Sequence, residues 1–119
     1  WTLICCDNLP SNTTGDPEEW VDFCLEMMGA LGLPMDKPQF MELGEKIYNL
    51  TRLFNVKQGI SRKDDALPPR MHEGRPDTNW KISKEDYDRL LTSYYDIRGW
   101  DADGIPTQET LKRLDLMGG

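Results

Sequence analysis

The chain has 119 residues, 38% of them hydrophobic and 29% charged, with four Trp, four Tyr and three Phe. That is enough for one hydrophobic core and excludes a disordered composition. A formal net charge of −7 offers no basic face to a phosphate backbone, and no run of about 18 apolar residues could cross a membrane as a helix, so neither nucleic acid nor a membrane is expected as a partner.

Trp1-Thr2-Leu3-Ile4-Cys5-Cys6 is a short apolar run, read as a brief strand or an extended lead-in. It has no basic leader and no initiator Met, so the expectation is an excised piece of a longer protein. Cys5, Cys6 and Cys24 make an odd set, and adjacent Cys5 and Cys6 could join only through a strained ring. Reduced thiols and a cytoplasmic setting follow as expectations.

After a polar loop, Asp16-Pro17 opens a first helix, with Glu19 three residues on as in a capping box. Trp20, Phe23, Cys24, Met27, Met28 and Leu31 recur at helical spacing as its apolar face, and Gly32 and Pro34 end it. A second helix starts at Asp36 or Lys37, before Pro38, and is expected to run to about Lys57. Phe40, Leu43, Gly44, Ile47, Leu50, Thr51 and Phe54 form its predicted buried stripe. Gly44 in mid-helix is expected to admit a close helix neighbour. Lys57 suits the negative helix end, and Gly59 is available for a left-handed cap.

Residues 60–82 cannot continue that helix, because Pro68-Pro69 removes two backbone donors. Ser61-Arg62-Lys63-Asp64-Asp65 is either a solvated charged loop or a pinned crossover in which Arg52, Arg62 and Arg70 bracket the two acids. A looser part, His72 to Asn79, follows. Ser83 caps a third helix with Asp86 as the acidic partner. Tyr87, Leu90, Leu91, Tyr94 and Ile97 are expected to face inward, with Gly99 as cap and Trp100 folded back. A tight turn at Asp101–Gly104 leads to a last helix from Thr107 carrying Leu111 and Leu114. The predicted fold is mainly α: residues 1–119 form a single small orthogonal multi-helix domain of about four helices with a long irregular crossover loop.

Little in this pattern carries chemistry by itself. His72 beside Glu73 has no nucleophile arranged around it and reads as a surface histidine. Asp101-Ala-Asp103-Gly104 fails as a calcium loop, because aligning on Gly104 puts Gly99 and Thr110 at the two anchor positions. The Trp20 and Met27-Met28 stripe is core or, alternatively, a ligand groove. Cys6 is a buried inert thiol or a metal ligand whose other partners lie elsewhere, since the chain has no C-x-x-C and one His.

Two stretches go further. Gly44–Arg70 (GEKIYNLTRLFNVKQGISRKDDALPPR) and Tyr94–Leu116 (YYDIRGWDADGIPTQETLKRLDL) resemble the last domain of the tungsten-containing aldehyde:ferredoxin oxidoreductases. The resemblance implies a helical C-terminal domain packed on N-terminal domains of the same chain. Those domains hold a bis-pterin tungsten (or molybdenum) cofactor and one [4Fe-4S] cluster. In the family the fourth cluster ligand comes from an Asp-x-x-Gly-Leu-Cys motif that also approaches a pterin. Residues 1–6 fall there, with Cys6 at the ligand position and Cys5 as the alternative by a one-residue slip. Trp1, Ile4 and Cys5 stand where the motif has Asp, Gly and Leu. The implied reaction is oxidation of an aldehyde to a carboxylic acid, with electrons leaving through the cluster to ferredoxin. The fragment alone is expected to be inactive, holding no complete cofactor site and no catalytic residue. A helical protein-interaction module, or a paralogue that has lost the cluster, are the alternatives, and a related acyl-CoA-linked parent also stays open.

Overall fold

The computed structural model describes residues 16–73 and 81–117. Five helices appear among them: α1 (Pro17–Ala30), α2 (Lys37–Lys57), α3 (Arg70–Glu73), α4 (Lys84–Arg98) and α5 (Gln108–Arg113). A 3₁₀ turn at Arg62–Asp64 lies between α2 and α3. The chain is mainly helical, as expected. No strand occurs among the described residues, and one isolated antiparallel bridge joins Trp100 to Pro106.

Local punctuation sets the helix ends. The Asp16 carboxylate accepts from the Glu18 N–H at 2.8 Å and caps α1. Asp36 and Gln39 cap α2 reciprocally: Asp36 Oδ1 accepts the Gln39 N–H and Gln39 Oε1 accepts the Asp36 N–H, each at 2.9 Å. Ser83 accepts from the Asp86 N–H, and Thr107 from the Thr110 N–H, starting α4 and α5. At the other end of α4, Gly99 turns left-handed (φ 67°), and the Trp100 N–H reaches back to the Tyr95 carbonyl at 2.9 Å.

The chain divides into two compact units, Trp1–Tyr48 and Asn49–Gly119, with the boundary inside α2. In the first unit Cys24 and Met28 are buried, Trp20 stacks on Phe23 with ring centroids 5.9 Å apart, and Lys37 pairs with Glu18. Phe23 and Leu31, expected on the buried stripe of α1, are exposed. Gly44 also departs from expectation: a Cβ there would meet nothing within 4 Å among the described residues, so no close neighbour explains it.

The second unit buries Tyr95, Trp100, Leu111 and Leu114 together with three polar residues, Asn49, Arg52 and Thr110. The predicted stripes of two helices hold in part: Phe40, Leu43 and Ile47 of α2 and Tyr87, Leu91 and Tyr94 of α4 are half-buried, and the other large apolar positions are not. Leu50 and Phe54 of α2 are 51% and 64% exposed, and Leu90 and Ile97 of α4 are 58% and 79% exposed. Asn49 and Arg52, one turn apart, take the inward positions of α2. On α4 the inward positions go to Tyr95, with Tyr87 and Leu91 half-buried. Apolar periodicity misplaced Leu50 and Phe54 because the fully buried positions of α2 are the polar Asn49 and Arg52.

Candidate functional site

The best-defined polar constellation grows from Arg52. The residue is 6% exposed, and such a charge is tolerated only when paired and hydrogen-bonded. Nη1 and Nη2 donate to Asp65 Oδ1 and Oδ2 at 2.9 and 2.6 Å, a bidentate fork, and Nε donates to the Gly104 carbonyl at 2.6 Å. The guanidinium also lies over Trp100, 4.8 Å from the ring centroid, and 5.8 Å from that of Tyr95. The Tyr95 hydroxyl donates to Asp65 Oδ2, and the Tyr87 hydroxyl to the Asp65 carbonyl. One turn before Arg52, Asn49 accepts from the Trp100 indole N–H at 2.9 Å.

The turn at Asp101–Gly104 is shaped to admit this arginine. Asp101 Oδ1 accepts from the Asp103 and Ile105 N–H groups, each at 3.0 Å, so the carboxylate closes its own turn. Gly104 is left-handed (φ 76°), and a Cβ there would overlap Arg52 Nη2 and sit 2.7 Å from the Tyr95 oxygen. Arg62 clips the crossover from the other side. It donates to Asp88 Oδ1 at 2.6 Å and to Thr92 Oγ1 at 2.9 Å, while its backbone N–H reaches the Asp103 carbonyl.

These contacts settle the charge run as a pinned crossover. Arg52 and Arg62 do the pinning, Asp65 is the acid withdrawn from water, and Asp64 stays exposed and accepts the Ser61 N–H at 2.9 Å. Arg70, expected in the bracket, is exposed at the start of α3. Burial alone would raise the Asp65 carboxyl, but the Arg52 fork, the Tyr95 phenol and the nearby Arg62 charge outweigh it and hold the pKa below the ordinary value. The same pairing raises Arg52. Burial, and then the bond to the Asp65 carboxylate, push Tyr95 up to about 12. With each charge answered by another, the constellation holds the fold and presents no reactive group.

Beside it lies an open cleft of about 1020 Å³, lined by Leu67, Pro69, His72, Tyr87 and Leu91 among others. His72 is half-buried on α3 and not a loose surface residue: its Nδ1 lies 2.8 Å from the Ile82 carbonyl, and its ring meets Tyr87 edge-on. Both nitrogen-to-carbonyl and ring contacts are positional. Cys24 is a buried thiol. Among the described residues no grouping of three or more His, Cys, Asp or Glu could hold a metal ion. Cys5 and Cys6, the site residues expected from sequence, lie outside the described residues. No helix among the described residues is long and apolar enough to cross a membrane.

Comparison with known proteins places this helical architecture within a class of large redox enzymes. Residues 1–116 match the family model described as aldehyde ferredoxin oxidoreductase, domains 2 and 3. The tungsten-containing aldehyde ferredoxin oxidoreductases of Pyrococcus horikoshii and Pyrococcus furiosus are each 36% identical, over 80% and 73% of this chain but 16% and 15% of their own lengths. An aliphatic sulfonate oxidoreductase subunit of Pyrococcus furiosus is 34% identical over 63% of the chain. Among solved structures, the active-site complex of benzoyl coenzyme A reductase with 1,5-dienoyl-CoA superposes with a TM-score of 0.59. It is 36% identical and covers 71% of this chain and 12% of that one. The chain belongs to the aldehyde ferredoxin oxidoreductase family and spans about one sixth of the curated relatives it matches.

Proposed function

We propose that residues 1–119 act as one helical C-terminal piece of an aldehyde:ferredoxin oxidoreductase-like enzyme. In this reading the piece closes one side of a tungsten- or molybdenum-pterin and [4Fe-4S] site built by upstream domains, and is inactive alone. The observation that carries the reading is the family match across residues 1–116. The parent enzyme would oxidise an aldehyde with water to a carboxylic acid, releasing two protons and two electrons that pass to ferredoxin, in the cytoplasm.

The donor set fits a single contribution to the cluster. Iron–sulfur clusters take thiolates. Cys24 is buried in α1, and the family resemblance puts Cys6 at the iron-ligand position, with Cys5 as the alternative by a one-residue slip. When bound, the pterin metal supplies the two-electron oxidation; this chain's share is to exclude water and fix the cluster's surroundings, which tune its potential. In the full-length parent purified without oxygen, Cys6→Ser should lose iron and the reduction of ferredoxin by aldehyde, whereas Cys5→Ser should keep its iron. Unchanged iron in Cys6→Ser would remove Cys6 from the cluster. The likeness to benzoyl coenzyme A reductase favours a second reading, an acyl-CoA thioester as substrate. Presenting the parent with an aldehyde and with an aromatic acyl-CoA separates the two.

A further inference from the structure

The open cleft beside the crossover lies wholly within the second unit. Sites for small molecules are mostly apolar with a few placed polar groups, and about 1020 Å³ holds an organic body, not only a bare ion. Leu67, Pro69 and Leu91 supply apolar walls, and the edge-on rings of His72 and Tyr87 supply aromatic ones. These walls are tied to the fold. The Asp65 carbonyl holds the Tyr87 hydroxyl, the Ile82 carbonyl holds His72 Nδ1, and Arg62 grips Asp88. Little ordering is left to oppose binding.

Charge selects the occupant. Residues 57–84 carry 7 of the chain's 14 Lys and Arg but 4 of its 21 Asp and Glu, so this stretch is net positive in a chain of net charge −7. In the cleft lining, Asp65 is neutralised by Arg52 and Asp88 by Arg62. Lys63 and Lys84 line it exposed and without an ion-pair partner among the described residues. Arg70 and Lys81 are equally uncommitted, and the Ile82 N–H bond to the Met71 carbonyl, 3.2 Å, lays their two segments side by side next to His72. Against these four cations the lining sets Glu73 and Asp103. Lysines act on phosphate as point charges, whereas a carboxylate is best matched by an arginine fork, and the arginine in the lining, Arg62, is already taken.

We propose that this cleft binds an organic phosphate, an ester whose apolar or aromatic body lies against Leu67, Leu91 and Tyr87 while its phosphate meets Lys63 and Lys84. The site goes beyond the oxidoreductase reading, because binding there does not depend on the metal centre.

Calorimetric titration of the full-length parent tests this. The probes are adenosine diphosphate and, separately, naphthyl phosphate, with pyrophosphate and adenosine as the charge-only and body-only comparisons. At least one ester is expected to bind more tightly than pyrophosphate or adenosine, and less tightly as salt is added. Lys63→Gln/Lys84→Gln should weaken that binding about tenfold, with the circular dichroism unchanged. Lys112→Gln, an equal change at an exposed lysine of α5 outside the cleft, should leave it as it was. No binding of either ester, pyrophosphate bound as tightly as the esters, a double variant that binds like wild type, or equal weakening by Lys112→Gln would each overturn the site. Binding is read with or without bound metal, so failure here leaves the oxidoreductase reading standing.

Discussion

Replacing Asp65 by Ala removes both acceptors of the Arg52 fork and the acceptor of the Tyr95 hydroxyl. Breaking a buried ion pair by deleting one partner costs about 3–5 kcal/mol, because it strands a desolvated charge. The Asp65 side chain keeps 24% exposure, and Arg52 retains the Gly104 carbonyl and the Trp100 ring face, so the lower end applies, about 3 kcal/mol. In a chain of this size each kcal/mol shifts the melting temperature by roughly 4 °C, giving a fall of about 12 °C. Asp64→Ala, one residue away, loses an exposed acceptor for the Ser61 N–H and should cost about 0.5–1 kcal/mol. Urea unfolding followed by tryptophan fluorescence reads both, since Trp100 sits against Arg52. The folded pKa of Asp65 is lowered, so its contribution is fully present above the unfolded value of about 4 and is lost as pH falls toward the lower folded value. Wild type and Asp65→Ala should therefore converge in stability in acid. An Asp65→Ala protein within about 0.5 kcal/mol of wild type, or an equal cost for Asp64→Ala, would refute the assignment of the crossover to this pair.

Gly104→Ala should be among the most damaging single changes, about 4 kcal/mol or more, because the residue is left-handed and its new methyl overlaps the Arg52 guanidinium; loss of a cooperative transition on heating would show it. Gly44→Ala should raise the urea midpoint by the equivalent of about 0.5–1 kcal/mol, since the methyl meets nothing and mid-helix Gly is costly. Tyr95 has a folded pKa of about 12 against an ordinary 10.0. Its contribution is therefore intact below pH 10 and declines as pH rises toward 12, and Tyr95→Phe should flatten that alkaline limb in melts tracked alongside tyrosinate absorbance.

The helix ends were legible because caps are local. Asp16, Ser83, Thr107, Gly59 and Gly99 act through neighbours within a few residues, and the sequence alone exposes those neighbours. The sides of the helices were legible in part: Cys24, Met28, Leu111 and Leu114 are buried as read, but the second half of α2 is not. Reading apolar spacing assigns Leu50 and Phe54 inward, whereas the core of the second unit is organised by Asn49 and Arg52 reaching residues about fifty positions away. The charge run showed that arginines would meet acids, but only the folded geometry pairs Arg52 with Asp65, sends Arg62 to Asp88 and leaves Arg70 outside. A signal for the polar core did exist. Asn and Arg at i and i+3, facing a Trp and a left-handed Gly, is a donor–acceptor set that periodicity ignores. The proposed iron ligand rests on family likeness alone, since one thiol without a partner motif has no local signature.

The long reach of Arg52 bears on the order in which this unit comes into being. Its partners are Asp65, thirteen residues on, and Gly104, fifty-two residues on, while Asn49 waits for Trp100. During synthesis Arg52 meets its acid thirteen residues later, but the Gly104 carbonyl, like the Trp100 indole that bonds Asn49, follows only about fifty residues on. Contacts of such separation form slowly and late. The crossover can be tacked by Asp65 first, but the final seat of the arginine depends on the turn just before the last helix. A nascent chain halted before Gly104 would thus hold its arginine by the Asp65 fork alone, with Nε still lacking its carbonyl.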